Sequence, residues 1–435
     1  MRKGDENMEK KKEPSGIQKA WRRLSIQNQI FLSMFLITLL GVGVLMNIVY
    51  KTSIDAIEQN YRASYQSTLK NSSRVMDMNL KNIVDVGRNF LNDEALQQIL
   101  EKGNEYGGSK FASTDREKLR VIANEMAQAL QKMGKSLYAV GNRTHQKAVD
   151  FAEKYGVGKV YDQIEDMFED ENVDIIYITS PHNTHYAFMK KALQHGKHLL
   201  VEKSITLNSR ELDQMITLAQ EKNLILAEAM TIWHMPIYKK LWNIVKEGTL
   251  GKVQIITMNF GSFKEYDMKN RFFNLNLAGG AMLDIGVYAL SIVRSFMDET
   301  PTNILSQWKP SPTGSDEQAT VLLQNSQGQM ATVALSMHSK QPKRAMISCE
   351  KGYIEIMEYP RADKAVIVDA ETGERTEIAE GDTANALYYE MLDMEQAVRN
   401  GNENGMHLEY TKDVMDIMTK LRRDWGMKYP EENWD

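Results

Sequence analysis

Lys203 follows Glu202 at the end of the apolar run His198-Leu199-Leu200-Val201, and Tyr288 follows Asp284 by four residues. An ammonium at a strand's carboxyl end can polarise a carbinol oxygen and help its proton move, which is what a carbinol carbon requires when a hydride leaves or joins it. Residues four apart share a helix face. A phenol there can donate a proton to a developing alkoxide, with Asp284 orienting substrate or the lysine. The plainer alternatives are a surface lysine after a strand, a core tyrosine, and a carboxylate answering a helix dipole.

Those residues need elements to hold them. The run Ile175-Ile176-Tyr177-Ile178-Thr179 also ends in polar residues, Ser180-Pro181-His182-Asn183-Thr184-His185. Ligands gather where the strands of an open parallel sheet deliver such ends. The pattern predicts helices over 123–133, 146–155, 162–168, 184–194 and 209–222, alternating with strands over 136–140, 173–179, 198–201 and 225–227. Gly156 and Gly196 close two of the helices. Such alternation predicts a parallel sheet with right-handed crossovers. After it come a strand over 253–263, an apolar helix over 280–296, and short alternating runs over 304–308, 319–323, 330–337, 345–349, 353–357 and 365–368. Helices starting at Asn385 and Leu408 end the chain.

Four motifs stand in order from residue 122 onward: Thr179-Ser180-Pro181-His182-Asn183-Thr184-His185, Glu202-Lys203, Glu228-Ala229-Met230, and Gly279-Gly280-Ala281-Met282-Leu283-Asp284-Ile285-Gly286-Val287-Tyr288. On these motifs the chain resembles the glucose–fructose oxidoreductase, inositol dehydrogenase and dihydrodiol dehydrogenase (Gfo/Idh/MocA) family. The resemblance implies a Rossmann-type domain followed by an α/β domain with an open, mainly antiparallel sheet. It implies that the turn after the third strand lines the cofactor, which singles out Thr179, Pro181, Asn183 and His185 together with Glu202 and Lys203. It also implies proton handling by Lys203, and Tyr288 in place of the histidine common in the inositol dehydrogenase branch. Where the family usually has proline after the lysine, this chain has Ser204, so a looser turn is expected.

The end of the second strand bears on the cofactor. An acidic residue there suits the ribose hydroxyls of NAD, and an arginine suits the extra phosphate of NADP. The chain has Asn142-Arg143-Thr144, which favours NADP over NAD, the alternative being a solvated turn arginine. A tight glycine turn should precede the first helix, because the backbone must approach the pyrophosphate closely. Asp115-Arg116-Glu117-Lys118-Leu119-Arg120-Val121 stands there instead, lacks glycine and reads as helix. The first strand and its loop are missing, so the dinucleotide-binding sheet is expected to be incomplete and cofactor binding impaired.

The front end reads differently. Residues 30–50 carry no charge, enough for one transmembrane helix. Arg2, Lys3, Lys10, Lys11, Lys12, Lys19, Arg22 and Arg23 precede it and predict a cytosolic N-terminus in a single-pass membrane protein. The residues after that span would then lie outside, whereas the oxidoreductase portion is expected in the cytoplasm. Residues 1–100 resemble the membrane and sensing segment of a sensor histidine kinase. The expected organisation is a basic tail (1–29), a span (30–50), an extracytoplasmic helical segment and linker (51–121), a truncated dinucleotide-binding domain (122–240) and a substrate or oligomerisation domain (241–435).

A net charge of −5 gives no electrostatic reason to expect nucleic acid. The lone Cys349 excludes an internal disulfide framework. No histidine–carboxylate set has metal-ligand spacing, so no metal is expected. The reading is an NAD(P)-dependent oxidoreductase acting on a sugar, polyol or dihydrodiol-like alcohol. The alternatives are a non-enzymatic membrane-anchored sensor or binding protein, and a chimeric reading frame. By analogy with the family a homodimer is expected.

Overall fold

The computed structural model describes residues 113–432 and Lys51. From Ser113 on, α1 (Ser113–Lys132) leads to β1 (Ala139–Val140), α2 (His145–Tyr155), β2 (Lys159–Val160), α3 (Glu165–Glu169) and β3 (Ile175–Ile178). Then follow α4 (His182–Gln194), β4 (His198–Glu202), α5 (Ser209–Glu221), β5 (Leu226–Ala229), α6 (Thr231–His234) and α7 (Pro236–Lys246). Gly156 ends α2 at φ 67° and Gly196 follows α4 at φ 76°, conformations that cost glycine little. Asn208 caps α5 by accepting from the Glu211 N–H, and Glu211 reaches back to the Leu207 N–H.

The parallel sheet is broken in two. Among the described residues β1 pairs only with β2, whereas β3, β4 and β5 form a separate sheet in that order. In a doubly wound fold the first strand lies between these pieces. The described residues supply no such strand, because α1 runs as unbroken helix through positions 115–121. β3 is therefore an edge, and its first residue, Ile175, is exposed. β4, flanked on both sides, is almost wholly buried.

The second sheet is complete. It holds β6 (Val253–Gly261), β7 (Asn303–Pro310), β8 (Asp316–Gln324), β9 (Met330–Ser336), β10 (Gln341–Cys349), β11 (Gly352–Met357), β12 (Lys364–Asp369) and β13 (Arg375–Ala379). Its order is β13-β12-β11-β10-β6-β9-β8-β7, antiparallel except for the β6–β9 pair. Alternate residues of β8 are buried, so one face packs on the core. Against the sheet lie a π-helical turn (Met282–Gly286) and α8 (Val287–Phe296). α9 (Ala386–Asn400) packs its Met394 and Ala397 into a cluster with Leu200 and Ala227, which covers the first sheet. The last helix, α10 (Leu408–Asp424), packs on α5 and α8.

Several expectations change. The linker that closes the segment over 51–121 is helix from Ser113 on, and the strand at 136–140 shrinks to two residues. The helix over 280–296 opens as a π-helical turn. β2, β13, α6 and α7 were not foreseen, because neither β2 nor β13 offers an apolar run. The proposed transmembrane helix at 30–50 and the sensor-like segment over 1–100 lie outside the described residues. Among those described, no helix is long and apolar enough to cross a membrane. Even the 20-residue α1 carries Asp115, Arg116, Glu117, Lys118 and Arg120 in one block. The transmembrane element is struck from the architecture, and the membrane partner and single-pass location that depended on it are not retained. Nothing in the fold of one chain supports the homodimer, which is dropped with them.

Candidate active site

The turn after β4 meets the π-helical turn before α8, and the two candidate proton-handling residues converge there. Lys203 is buried and donates from Nζ to the Asp284 carbonyl oxygen at 2.6 Å. The same Nζ lies 3.4 Å from Asp284 Oδ1 and 4.8 Å from the centre of the Tyr288 ring. Two glycines allow this. A Cβ on Gly279 would sit 2.0 Å from the Arg271 carbonyl, and one on Gly280 would sit 1.9 Å from Asp316 Oδ1. Asp316 in turn accepts the Met282 N–H at 2.6 Å and anchors the start of the turn.

The Lys203 turn is held residue by residue. His182 Nε2 bonds the Lys203 carbonyl at 2.9 Å, and Ser204 Oγ donates to the Leu283 carbonyl at 3.0 Å. Ser204 is fully buried, and its hydrogen bond ties the turn to the segment carrying Asp284. His185 spans the Ser180 carbonyl (2.8 Å) and the Ile205 carbonyl (3.2 Å). That pairing makes His185 a clamp between two turns.

Other expected cofactor residues are more dispersed. Glu202 is buried and accepts from the Tyr177 hydroxyl, so it faces inward across the sheet. Asn183 donates to Glu431 at 2.7 Å. Thr179 is half-buried at the end of β3, and Pro181 stands at the N-terminus of α4. Asn142, Arg143 and Thr144 form the turn after β1, where Asn142 Oδ1 accepts the Thr144 N–H at 2.9 Å. That turn belongs to the detached two-stranded piece.

Several residues of the site escaped sequence reading. Arg271 donates to Asp284 Oδ1 at 3.1 Å from an irregular segment without periodicity. Glu228 and Glu390 are fully buried carboxyls behind the Lys203 turn. Burial pushes Glu228 up to about 7, and burial together with the charge of Glu202 holds Glu390 well above the usual carboxylate range. Burial, then the charges of Arg271, His185 and Lys203, keeps His182 far below an ordinary imidazole, hence neutral. No cluster of metal ligands occurs among the described residues.

Comparison with known proteins fits this arrangement. Residues 108–230 match the profile of the Gfo/Idh/MocA oxidoreductase family with its NAD-binding Rossmann fold, and residues 238–355 match the Gfo/Idh/MocA C-terminal domain. Together they cover more than half of the chain. The chain belongs to this family. It is similar to trans-1,2-dihydrobenzene-1,2-diol dehydrogenase of Xenopus tropicalis (27% identical, 71% of this chain and 96% of the relative). The Mus musculus enzyme of the same name is 26% identical over 72% of this chain and 96% of its own length. In fold it is similar to a 3-ketoreductase from Actinomadura kijaniata in complex with NADP and TDP-benzene. That likeness has a TM-score of 0.62 at 19% identity and covers 68% of this chain and 92% of the other. An aldose–aldose oxidoreductase from Caulobacter crescentus aligns with a TM-score of 0.60 at 20% identity, over 66% and 89% of the two chains. As a Gfo/Idh/MocA member the chain is an NAD(P)-dependent oxidoreductase acting on CH–OH groups. The matches begin at residue 108, so the sensor-kinase likeness of residues 1–100 gains no support and is not retained.

The residues present fit this cofactor unevenly. Lys203 and Asp284, both buried, with the half-buried Tyr288 ring beside them, are of the types that would suit a nicotinamide and the alcohol facing it. At the pyrophosphate position the described residues offer α1 in place of a glycine turn, so close backbone donors are lacking there.

Proposed function

We propose that this site interconverts an alcohol and a carbonyl on a sugar, polyol or dihydrodiol-like substrate, with Lys203 and Tyr288 managing the proton and NADP as the preferred cofactor. The observation that carries the reading is the meeting of buried Lys203 Nζ with Asp284 and the half-buried Tyr288 ring in one junction. The bound nicotinamide supplies or accepts the hydride. Lys203 holds the substrate oxygen and stabilises its negative charge, in a setting where burial strengthens the attraction. Asp284, pinned by Arg271, fixes the ammonium and leaves Tyr288 to give or take the hydroxyl proton. Arg143, exposed after β1, is the group proposed for the extra phosphate of NADP. The dihydrodiol dehydrogenase relatives and the NADP-bound neighbour support these choices.

The test is NADPH-linked turnover on a panel of aldoses, polyols, dicarbonyls and trans-dihydrodiols. K203A is expected to lower kcat by about 10²- to 10⁴-fold and Y288F by about 10²-fold, the range of a lost proton-transfer group. Wild-type rates in K203A would end the reading.

A further inference from the structure

We propose that Glu228 is a positioning residue for Lys203: its carboxylate holds the backbone of the turn that carries the lysine. This rests on the reading of Lys203 given above. Glu228 lies in β5, beside β4, with its backbone paired to Val201. Its Oε1 accepts the Ile205 N–H at 3.1 Å, two residues beyond Lys203. Its Oε2 accepts the Thr411 hydroxyl of α10 at 3.0 Å. The carboxylate thus bridges the last helix to the turn, and it is fully buried.

The turn is gripped at three further points: the Lys203 carbonyl by His182, Ser204 Oγ by Leu283, and the Ile205 carbonyl by His185. Of these contacts, the one made by Glu228 takes an N–H of the turn, that of Ile205. A buried N–H without a partner carries its full desolvation penalty, so the turn shifts if the carboxylate goes. Lys203 Nζ has little room to follow, because the Asp284 carbonyl fixes its far end.

The polar and charged groups around Glu228 come from three elements. Glu202 and Lys203 lie at the end of β4, Glu390 lies on α9, and α10 contributes only the neutral Thr411 hydroxyl. Lys203 favours the ionised form of Glu228, and Glu202 opposes it. Glu228 therefore acts through geometry and through charge, and the two are separable. Gln keeps an acceptor for the Ile205 N–H and a donor for the Thr411 oxygen, but never ionises. Ala keeps neither.

The experiment uses the full chain and three variants, E228Q, E228A and K203A. Hydrogen exchange at the Ile205 amide is expected to be protected alike in wild type and E228Q. In E228A it is expected to be about tenfold faster or more, as for a lost buried hydrogen bond. In turnover, E228A is expected to lose about tenfold in kcat with KM little changed, and E228Q to recover most of it. The wild-type kcat profile should show an ionisation near pH 7 that E228Q lacks. If E228A does not fold, the pH profile of E228Q still decides. Exchange at the Ile205 amide that is equal in E228A and wild type, or an unchanged pH profile in E228Q, overturns the proposal. Undiminished turnover in K203A overturns the reading of Lys203 instead, while the exchange result still reports whether Glu228 holds the turn.

Discussion

Ser204 shows how the chemistry of one residue can be carried by another. The turn after Glu202-Lys203 has a buried hydroxyl where the family usually has proline, and that hydroxyl reaches across to the segment carrying Asp284. It joins the two halves of the site directly, which a proline ring could not do. S204A is expected to lower stability by about 1–2 kcal/mol, because the Leu283 carbonyl loses a partner in a buried place. Thermal unfolding would show this as a drop of a few degrees. An unchanged midpoint would mean that water or a small shift replaces the bond. That Lys203, Asp284 and Tyr288 were worth singling out as candidates could be read in the sequence, because strand ends and four-residue helical spacing leave a pattern. Arg271 and Glu390 were not, since one sits in an irregular segment and the other in a helix whose polar residues gave no sign of which would be buried.

At the scale of elements, the break between β1–β2 and β3–β4–β5 follows from one substitution of helix for strand. The absence of glycine before Ile122 was plain in the sequence, and so was its consequence for the sheet. The extent of α1 was less plain, since a polar, glycine-containing stretch before it suggested a linker. The second sheet was legible in most of its strands, because β6 to β12 alternate apolar and polar residues over a half-buried face. β13 was missed because an edge strand needs no apolar run. The two-residue β1–β2 pair has little to hold it once its neighbour is gone. Its amides are therefore expected to exchange faster than those of Leu199, Leu200 and Val201 in buried β4. Replacing residues 113–121 by an apolar strand ending in Gly-x-Gly-x-x should slow that exchange and tighten NADPH binding at least tenfold. Fluorescence titration with NADPH checks the second part. A replaced chain that binds no better would show that the pyrophosphate cradle is not what limits affinity.

At the scale of the whole molecule, buried acids set how stability varies with pH. Burial raises Glu228 and Asp316 each to about 7. In the unfolded chain such carboxyls lose their protons near pH 4, so between there and about 7 the folded state binds more protons. Stability from these groups is complete at low pH and drains as pH rises through their folded values. Buried histidines act in the opposite sense. His182, His185 and His234 are held below the ordinary imidazole value by burial, so they cost stability only as pH falls below about 6.5. Well above that point the histidines are neutral in both states and the raised acids govern, with Glu390 acting in the same sense as Glu228 and Asp316. The melting temperature is therefore expected to fall between pH 6.5 and pH 8, by about 1 kcal/mol of stability for each acid. E228Q and D316N together should flatten that limb, whereas the decline below pH 6 should persist. Calorimetry across this range decides the matter. A midpoint that stays level or rises from pH 6.5 to 8 would mean that these carboxyls are already ionised in the folded chain, with water reaching both.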